Sequence, residues 1–383
     1  MSQYLRESQQ LATASKLFNN PDIRDLDDLK TLPVLRKGEF AKKQSDNPPF
    51  GGMTVDNATH IFQSPGPIYE PGSNNGDWWR FGRFAKSIGI GPDDIVLNTF
   101  SYHFTPAGAM FDSAAVAAGA SVFAAGPGQS TQQAEVAAAI GVTTYAGTPD
   151  FLKTILGKAD EHGHDLSRLN KAAVSAGPLF PQLREEYAER GIACRQCYGT
   201  AEAGLIAYET ADCIDGMLID DDVIVEIVTP GTGNPLPDGE IGEVLVTVLN
   251  PNYPLLRFSV GDLSAIMTEP SPTGCGRPRL VGWRGRADQA AKVRGMFIRP
   301  EQVSRIVDQH PEIDRARLEV SSEGDRDQII VKCETSSGSV ENTTALQTTI
   351  ADILKLKADV VMVENGELPR DGIVISDLRP VPD

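Results

Sequence analysis

Apolar and polar positions alternate along this chain with two periods, one helical and one strand-like. From about residue 78 the two exchange regularly. Asp77 precedes "WWRFGRFAKSIG", which has helical spacing and ends at Gly89 and Gly91, so a helix capped by Asp77 is expected. "DIVLNTF" reads as a buried strand, "GAMFDSAAVAAG" as a small-residue helix and "ASVFAAG" as a strand. "QQAEVAAAIG" then reads as a helix and "VTTYAG" as a strand. This alternation predicts a parallel, doubly wound sheet, with ligands outside the carboxyl ends of its strands.

The flanking regions differ in texture. Residues 1–50 read as a helix followed by a connector, with the helical spacing of "RDLDDLKTLPVLRKGEF" broken at Pro33. Past residue 215, "DVIVEIVTP" and "GEVLVTVL" read as strands joined by the turn "GTGNPLPDGEIG", an antiparallel pair. The last stretch alternates helices ("PEQVSRIVDQHP", "TTALQTTIADILKLK") with strands ("RARLEVS", "QIIVKCET", "ADVVMVE"). The expected fold class is α/β: a large N-terminal region with doubly wound mixed sheets and a β-rich portion, then a small C-terminal α+β domain. The expected division is 1–285 and 286–383, with a hinge near 286–290.

The formal net charge of −17, from 35 basic and 52 acidic side chains, disfavours a phosphate backbone as partner. No apolar run approaches the ~20 residues of a membrane span, and the N-terminus lacks a signal-peptide core, so the expectation is a cytoplasmic protein that binds neither nucleic acid nor membrane. Five scattered cysteines suggest free thiols. Cys194 and Cys197 have ligand-like spacing, but no clear second pair completes a four-ligand zinc site.

Four ordered stretches carry the chemistry: "SAGPLFPQLREEY" (175–187), "QCYGTAEAG" (196–204), "GEIGEVLVTVLNPNYPLLRFSVGDL" (239–263) and "GRADQAAKVRGMFIRPEQV" (285–303). Together they resemble the adenylate-forming superfamily, in its phenylacetate–CoA ligase branch. "YHFTPAGAMFDSAAVAAGASVF" and "GQSTQQ" extend the resemblance over most of the chain. It implies activation of a small aromatic or heteroaromatic carboxylate as an acyl-adenylate from ATP, with AMP leaving as coenzyme A or another acceptor, such as a carrier protein, takes the acyl group. It also implies a homodimer.

The resemblance assigns roles residue by residue. Tyr198 matches the aromatic that stacks on adenine, beside Gly199. Thr200 matches the hydroxyl near the α-phosphate, and Glu202 the Mg²⁺-binding carboxylate. Asp262 matches the acceptor of the ribose hydroxyls, and Arg286 a cation near the ribose and phosphate. Gly177 sits where backbone approaches the nucleotide. Asp288 matches the hinge of the small domain, and Lys292 a residue that swings in for thioester formation. His103 lies in the segment that walls the acyl pocket, with Tyr102, Phe104 and Phe111 close in sequence. For several of these residues a plain structural role stays open: a turn for Asp262, a surface strand for Lys292, core packing for the aromatics.

Three departures complicate that resemblance. The family's phosphate loop is rich in Ser, Thr and Gly and ends Gly-Lys-Pro. Here "SPGPIYEP" (64–71) puts Glu70 where the lysine belongs, and Pro65 and Pro67 remove two N–H donors. Past Leu368-Pro369-Arg370, the family's closing lysine is missing. The zinc site of some relatives is reduced to Cys213 and Cys275, with Thr273 in place of another ligand, so no zinc is expected. Three readings stay open: an AMP-forming acid–thiol ligase with altered ATP handling, an enzyme using a preformed adenylate or thioester, and a non-catalytic binder of nucleotide or aryl acid.

Overall fold

The computed structural model describes residues 3–379 apart from 65–67, 74–75, 178, 230, 272, 275, 285–286, 288, 290, 295, 299, 324–325, 336–342, 365 and 370–372. Two compact units divide the chain, residues 1–285 and 286–381.

The first unit opens with α1 (Gln3–Leu17), α2 (Leu26–Lys30) and α3 (Lys37–Asp46). The expected connector therefore contains two further helices, one on each side of Pro33. A hairpin follows, β1 (His60–Ser64) with β2 (Ile68–Gly72), pairing Ser64 with Ile68 and Phe62 with Glu70. The stretch treated as a phosphate loop thus lies largely in a β-hairpin. Helix α4 (Phe81–Ser87) starts four residues beyond Asp77, later than expected. Trp78 and Trp79 are buried ahead of it, and Arg80 takes a left-handed φ of 68° in the N-cap position. Asp77 still serves the first turn, because its Oδ2 accepts from Gly82 N at 2.8 Å.

The alternating region forms β3 (Ile95–Asn98), α5 (Ala107–Ala118), β4 (Ser121–Ala124), α6 (Ser130–Ile140), β5 (Thr144–Gly147), α7 (Pro149–His162), β6 (Lys171–Val174), α8 (Pro181–Glu189) and β7 (Ala193–Thr200). Next come β8 (Gly204–Tyr208), β9 (Met217–Ile219), β10 (Val223–Val228), β11 (Gly242–Val248), β12 (Leu255–Ser264) and β13 (Arg279–Leu280). Among the described residues eight strands make one sheet in the order β13-β9-β8-β7-β6-β5-β3-β4. The strands from β4 to β7 run parallel, and β8, β9 and β13 continue antiparallel. The expected pair in the β-rich portion is β10 with β11, extended by β12. Apolar residues fill both faces of the large sheet. Cys194 belongs to one core cluster and Cys197 to another, since residues three apart on a strand point to opposite faces. Burial pushes both thiols up.

The second unit pairs β14 (Ala291–Val293) with β15 (Met296–Ile298). Helix α9 (Pro300–Gln309), β16 (Arg315–Glu323), β17 (Arg326–Thr335), α10 (Thr343–Leu354), β18 (Asp359–Glu364) and β19 (Ile375–Asp377) follow. The sheet order is β18-β17-β16-β19, and residues such as Ile306, Ile350 and Val331 join helices and sheet in one core. This is the expected α+β arrangement. No helix among the described residues is long and apolar enough to cross a membrane.

Candidate active site

Strand β7 delivers the central motif. Tyr198, Gly199 and Thr200 end the strand, and the chain turns back into β8 at Gly204. The turn is tight for a visible reason. A Cβ on Gly199 would lie 2.6 Å from the Gly204 carbonyl oxygen and 2.8 Å from Phe81, so a larger residue would push the hairpin apart. Thr200 Oγ1 accepts from Ala203 N at 3.1 Å, and the buried Arg80 donates to the carbonyls of Ala203 and Leu205 at 2.6 and 3.0 Å. Arg80 is itself held by Asp220 at 3.2 Å. Glu202 sits inside this braced turn.

Asp262 on β12 comes to the same place. Tyr198 Oη donates to its Oδ2 at 2.8 Å, and Trp283 Nε1 donates to its Oδ1 at 3.1 Å. The residues matched to adenine and ribose recognition are therefore in direct contact. An ionised carboxylate only accepts hydrogen bonds, and these two donors help fix its plane, which suits it to the hydroxyls of a ligand.

Lys37 is the neighbour that the sequence did not announce. Leu35 makes a parallel bridge with Phe258 of β12, Arg36 pairs with Glu243 at 2.8 Å, and Phe40 meets Phe258 edge-on at 5.9 Å. Held on both sides, Lys37 at the start of α3 places its ammonium 2.9 Å from Glu202 Oε1. Burial, the largest single influence, raises the Glu202 carboxyl, but the Lys37 charge and hydrogen bond, joined by hydrogen bonds from the Glu202 backbone and Thr200, together hold the group below its ordinary value.

Glu70 points inward on β2. It is fully buried, and Ser64 donates to it from N at 3.1 Å and from Oγ at 2.6 Å. Burial, and then the negative charge of Glu202, push its carboxyl up to about 9, against the Ser64 hydrogen bonds and the Lys37 charge. Glu70 is thus a neutral group of the interior at ordinary pH. Rather than lining an open loop where the family's lysine belongs, it takes up Ser64 and fills the site from within. Helix α3 locks the hairpin in place, since Gln44 donates to Tyr69 O at 2.7 Å and accepts from Tyr69 N at 2.8 Å. Tyr253 completes the group. Its buried hydroxyl has no hydrogen-bond partner among the described residues, and burial pushes it well above its ordinary value.

The divalent cation implied for Glu202 does not fit these residues. The Lys37 ammonium already occupies this carboxylate at 2.9 Å, and the neighbouring Glu70 carboxyl is taken up by Ser64 through both its N and its Oγ, so neither group is presented to a cation. Among the described residues no group of three or more His, Cys, Asp or Glu side chains is arranged to hold a metal ion.

His103 is exposed on a turn whose next residue, Phe104, is 77% exposed with a φ of 60°. The Phe104 carbonyl accepts from Gln63 N at 2.8 Å, which joins this turn to the hairpin. Phe111 is buried and stacked on Phe100 at 4.4 Å, and the half-buried Tyr102 donates to Asp112 at 3.0 Å. Gly177 follows β6, where a Cβ would meet Pro149 at an ordinary 3.4 Å, and the left-handed residue of that turn is Ala176. Lys292 lies half-buried on β14 in the second unit. Arg286 and Asp288, like Cys275 and Arg370, lie outside the described residues.

Residues 75–249 match the AMP-binding enzyme family. The chain is 27% identical over 375 residues to a phenylacetate-coenzyme A ligase of Escherichia coli, covering 91% of this chain and 84% of that one. It is 27% identical over 331 residues to the ligase of the same name from Thermus thermophilus, covering 82% and 73%. In fold it is similar to a 2-hydroxyisobutyryl-CoA ligase solved with 2-HIB-AMP and CoA, with a TM-score of 0.80 at 21% identity over 98% of this chain and 88% of that one. An amide bond synthetase from Marinactinospora thermotolerans is also similar, with a TM-score of 0.61 at 19% identity over 82% and 66%. The chain is thus similar to the adenylate-forming enzymes, and among them to phenylacetate–CoA ligases.

Proposed function

We propose that this protein is an AMP-forming, acid–thiol ligase-type enzyme that handles an aromatic or heteroaromatic carboxylate as its acyl-adenylate and passes the acyl group to coenzyme A or a related acceptor. The observation that carries this reading is the contact between Tyr198 and Asp262, which joins the adenine- and ribose-matched residues. In this reading the Tyr198 ring packs on the base, Asp262 accepts from the ribose, and Thr200 presents its hydroxyl to the single phosphate. Arg286 adds positive charge there, and Gly199 keeps the hairpin closed enough for these groups to converge. Residues 286–383 act as a mobile domain hinged at Asp288 that brings in Lys292 for acyl transfer. His103 faces the acyl group from the turn after β3. The proposal includes a cytoplasmic homodimer.

A second reading is favoured by one observation, the Ser64–Glu70 pair in the segment matched to a phosphate loop. In that reading the chain starts from a preformed adenylate or thioester and makes no adenylate from ATP. One assay separates the two. Aromatic acids with ATP and coenzyme A are scored for pyrophosphate and AMP, in parallel with the corresponding acyl-adenylates and coenzyme A. Turnover in both arms supports ligation from the free acid. Thioester from the adenylate arm alone supports the second reading, and silence in both arms removes the enzymatic proposal.

A further inference from the structure

Helix α3 makes two separate attachments to the candidate site. Lys37 in its first turn holds Glu202 at 2.9 Å, and Gln44 near its end holds the backbone of Tyr69, next to Glu70. Glu202 is buried at 5% exposure, and Glu70, next to the Tyr69 that Gln44 holds, at 0%. The hairpin strands "HIFQS" and "IYEPG" contain no lysine or arginine that could meet the outer phosphates of a triphosphate. Cationic charge at Glu202 is instead supplied by the chain itself.

An ammonium and a divalent cation cannot share one carboxylate without strong repulsion. An ammonium also differs in what it can serve. It is a compact charge with three donors, and Glu202 need take only one. The remaining capacity suits the oxygens of one phosphate. A triphosphate, which usually brings a divalent ion with it, needs more.

We infer that Lys37 is the resident cation of this nucleotide site: paired with Glu202, it stands in place of a divalent metal and selects a nucleoside monophosphate or an acyl-adenylate over a triphosphate. This rests on the reading that the Tyr198–Asp262 cluster binds an adenylate. The consequence is a metal-independent site. AMP binds equally with or without Mg²⁺, and the outer phosphates of ATP add nothing.

The test is calorimetric titration of the full chain with AMP and with ATP, each in Mg²⁺ and in EDTA. Wild type, Lys37→Met and Lys37→Arg are compared, with a thermal melt of each to confirm folding. The expected result is a wild-type AMP affinity that changes less than about 2-fold with Mg²⁺, and ATP no tighter than AMP. Lys37→Met is expected to lose about 10-fold or more in EDTA and to regain part of it with Mg²⁺, while Lys37→Arg stays within a few-fold of wild type. Mn²⁺ electron paramagnetic resonance with AMP present gives a second readout: wild type leaves the ion free and Lys37→Met captures it. About 10-fold tightening of wild-type AMP binding by Mg²⁺ overturns the inference while leaving the nucleotide reading intact. Unchanged affinity in a folded Lys37→Met does the same. If neither nucleotide binds in any condition, the nucleotide reading falls and the inference with it. Should Lys37→Met not fold, the wild-type comparison of Mg²⁺ with EDTA decides alone.

Discussion

The ammonium of Lys37 lies 2.9 Å from a carboxylate oxygen of Glu202, and that contact ties the N-terminal helices to the central β7–β8 turn. The Glu202 side chain is almost wholly buried, so breaking the pair from the lysine side leaves an uncompensated charge in the interior. Lys37→Met is expected to cost about 3 kcal/mol of stability, the lower part of the range for broken buried pairs, because the lysine is partly exposed. Lys37→Met with Glu202→Gln should recover most of that loss. Urea unfolding of the three variants checks it, and strictly additive losses would contradict the pairing.

Glu70 gives the protein a pH signature. Its carboxyl is pushed from 4.5 to about 9 in the folded chain, so between these values the native state keeps a proton that the unfolded state has released. The stability associated with the group is complete below its ordinary value and is lost as pH rises through the folded one. Melting temperature should therefore fall with rising pH across this window more steeply in wild type than in Glu70→Gln. Parallel slopes for the two proteins would remove the assignment.

Tyr253 should be cheap to simplify. Its hydroxyl is buried and has no partner among the described residues. Deleting an unsatisfied polar atom removes a desolvation cost of roughly 1–3 kcal/mol without losing a hydrogen bond. Tyr253→Phe is expected to melt at the same temperature as wild type or higher. A clear drop would mean that the hydroxyl is satisfied through ordered water.

Gln44 is the opposite case, because both ends of its amide serve the backbone of Tyr69. Gln44→Ala leaves a donor and an acceptor unpaired in a part-buried position of the hairpin and is expected to cost about 1 kcal/mol in chemical denaturation. Gln44→Glu, which keeps the acceptor and loses the donor, should fall between.

Much of this architecture is visible in residue patterns, because local periodicity decides it. The alternation from Ile95 to Thr200 yields the parallel strands, and the Tyr198–Thr200 motif lies at the end of β7. What escapes is what only tertiary distance creates. Lys37 stands in a polar run with no local mark of its destination, and Trp283 meets Asp262 only because the chain after β13 returns alongside the end of β12. Arg80 looks like a helical surface residue but lies buried ahead of α4. Glu70 is different, since a signal existed: two-residue periodicity puts it on the same face as Ile68, with Tyr69 opposite. Reading the stretch as a loop hid that face.

The central claim is that Asp262, braced by Tyr198 and Trp283, is the ribose acceptor of a retained adenylate site. It is tested most directly by titrating AMP into wild type and Asp262→Ala, with both proteins shown to be folded. The account predicts saturable binding to wild type, weakened about 10-fold or more in Asp262→Ala, as expected when hydrogen bonds to a charged acceptor are lost. No binding to wild type, or equal affinity in both proteins, would contradict it.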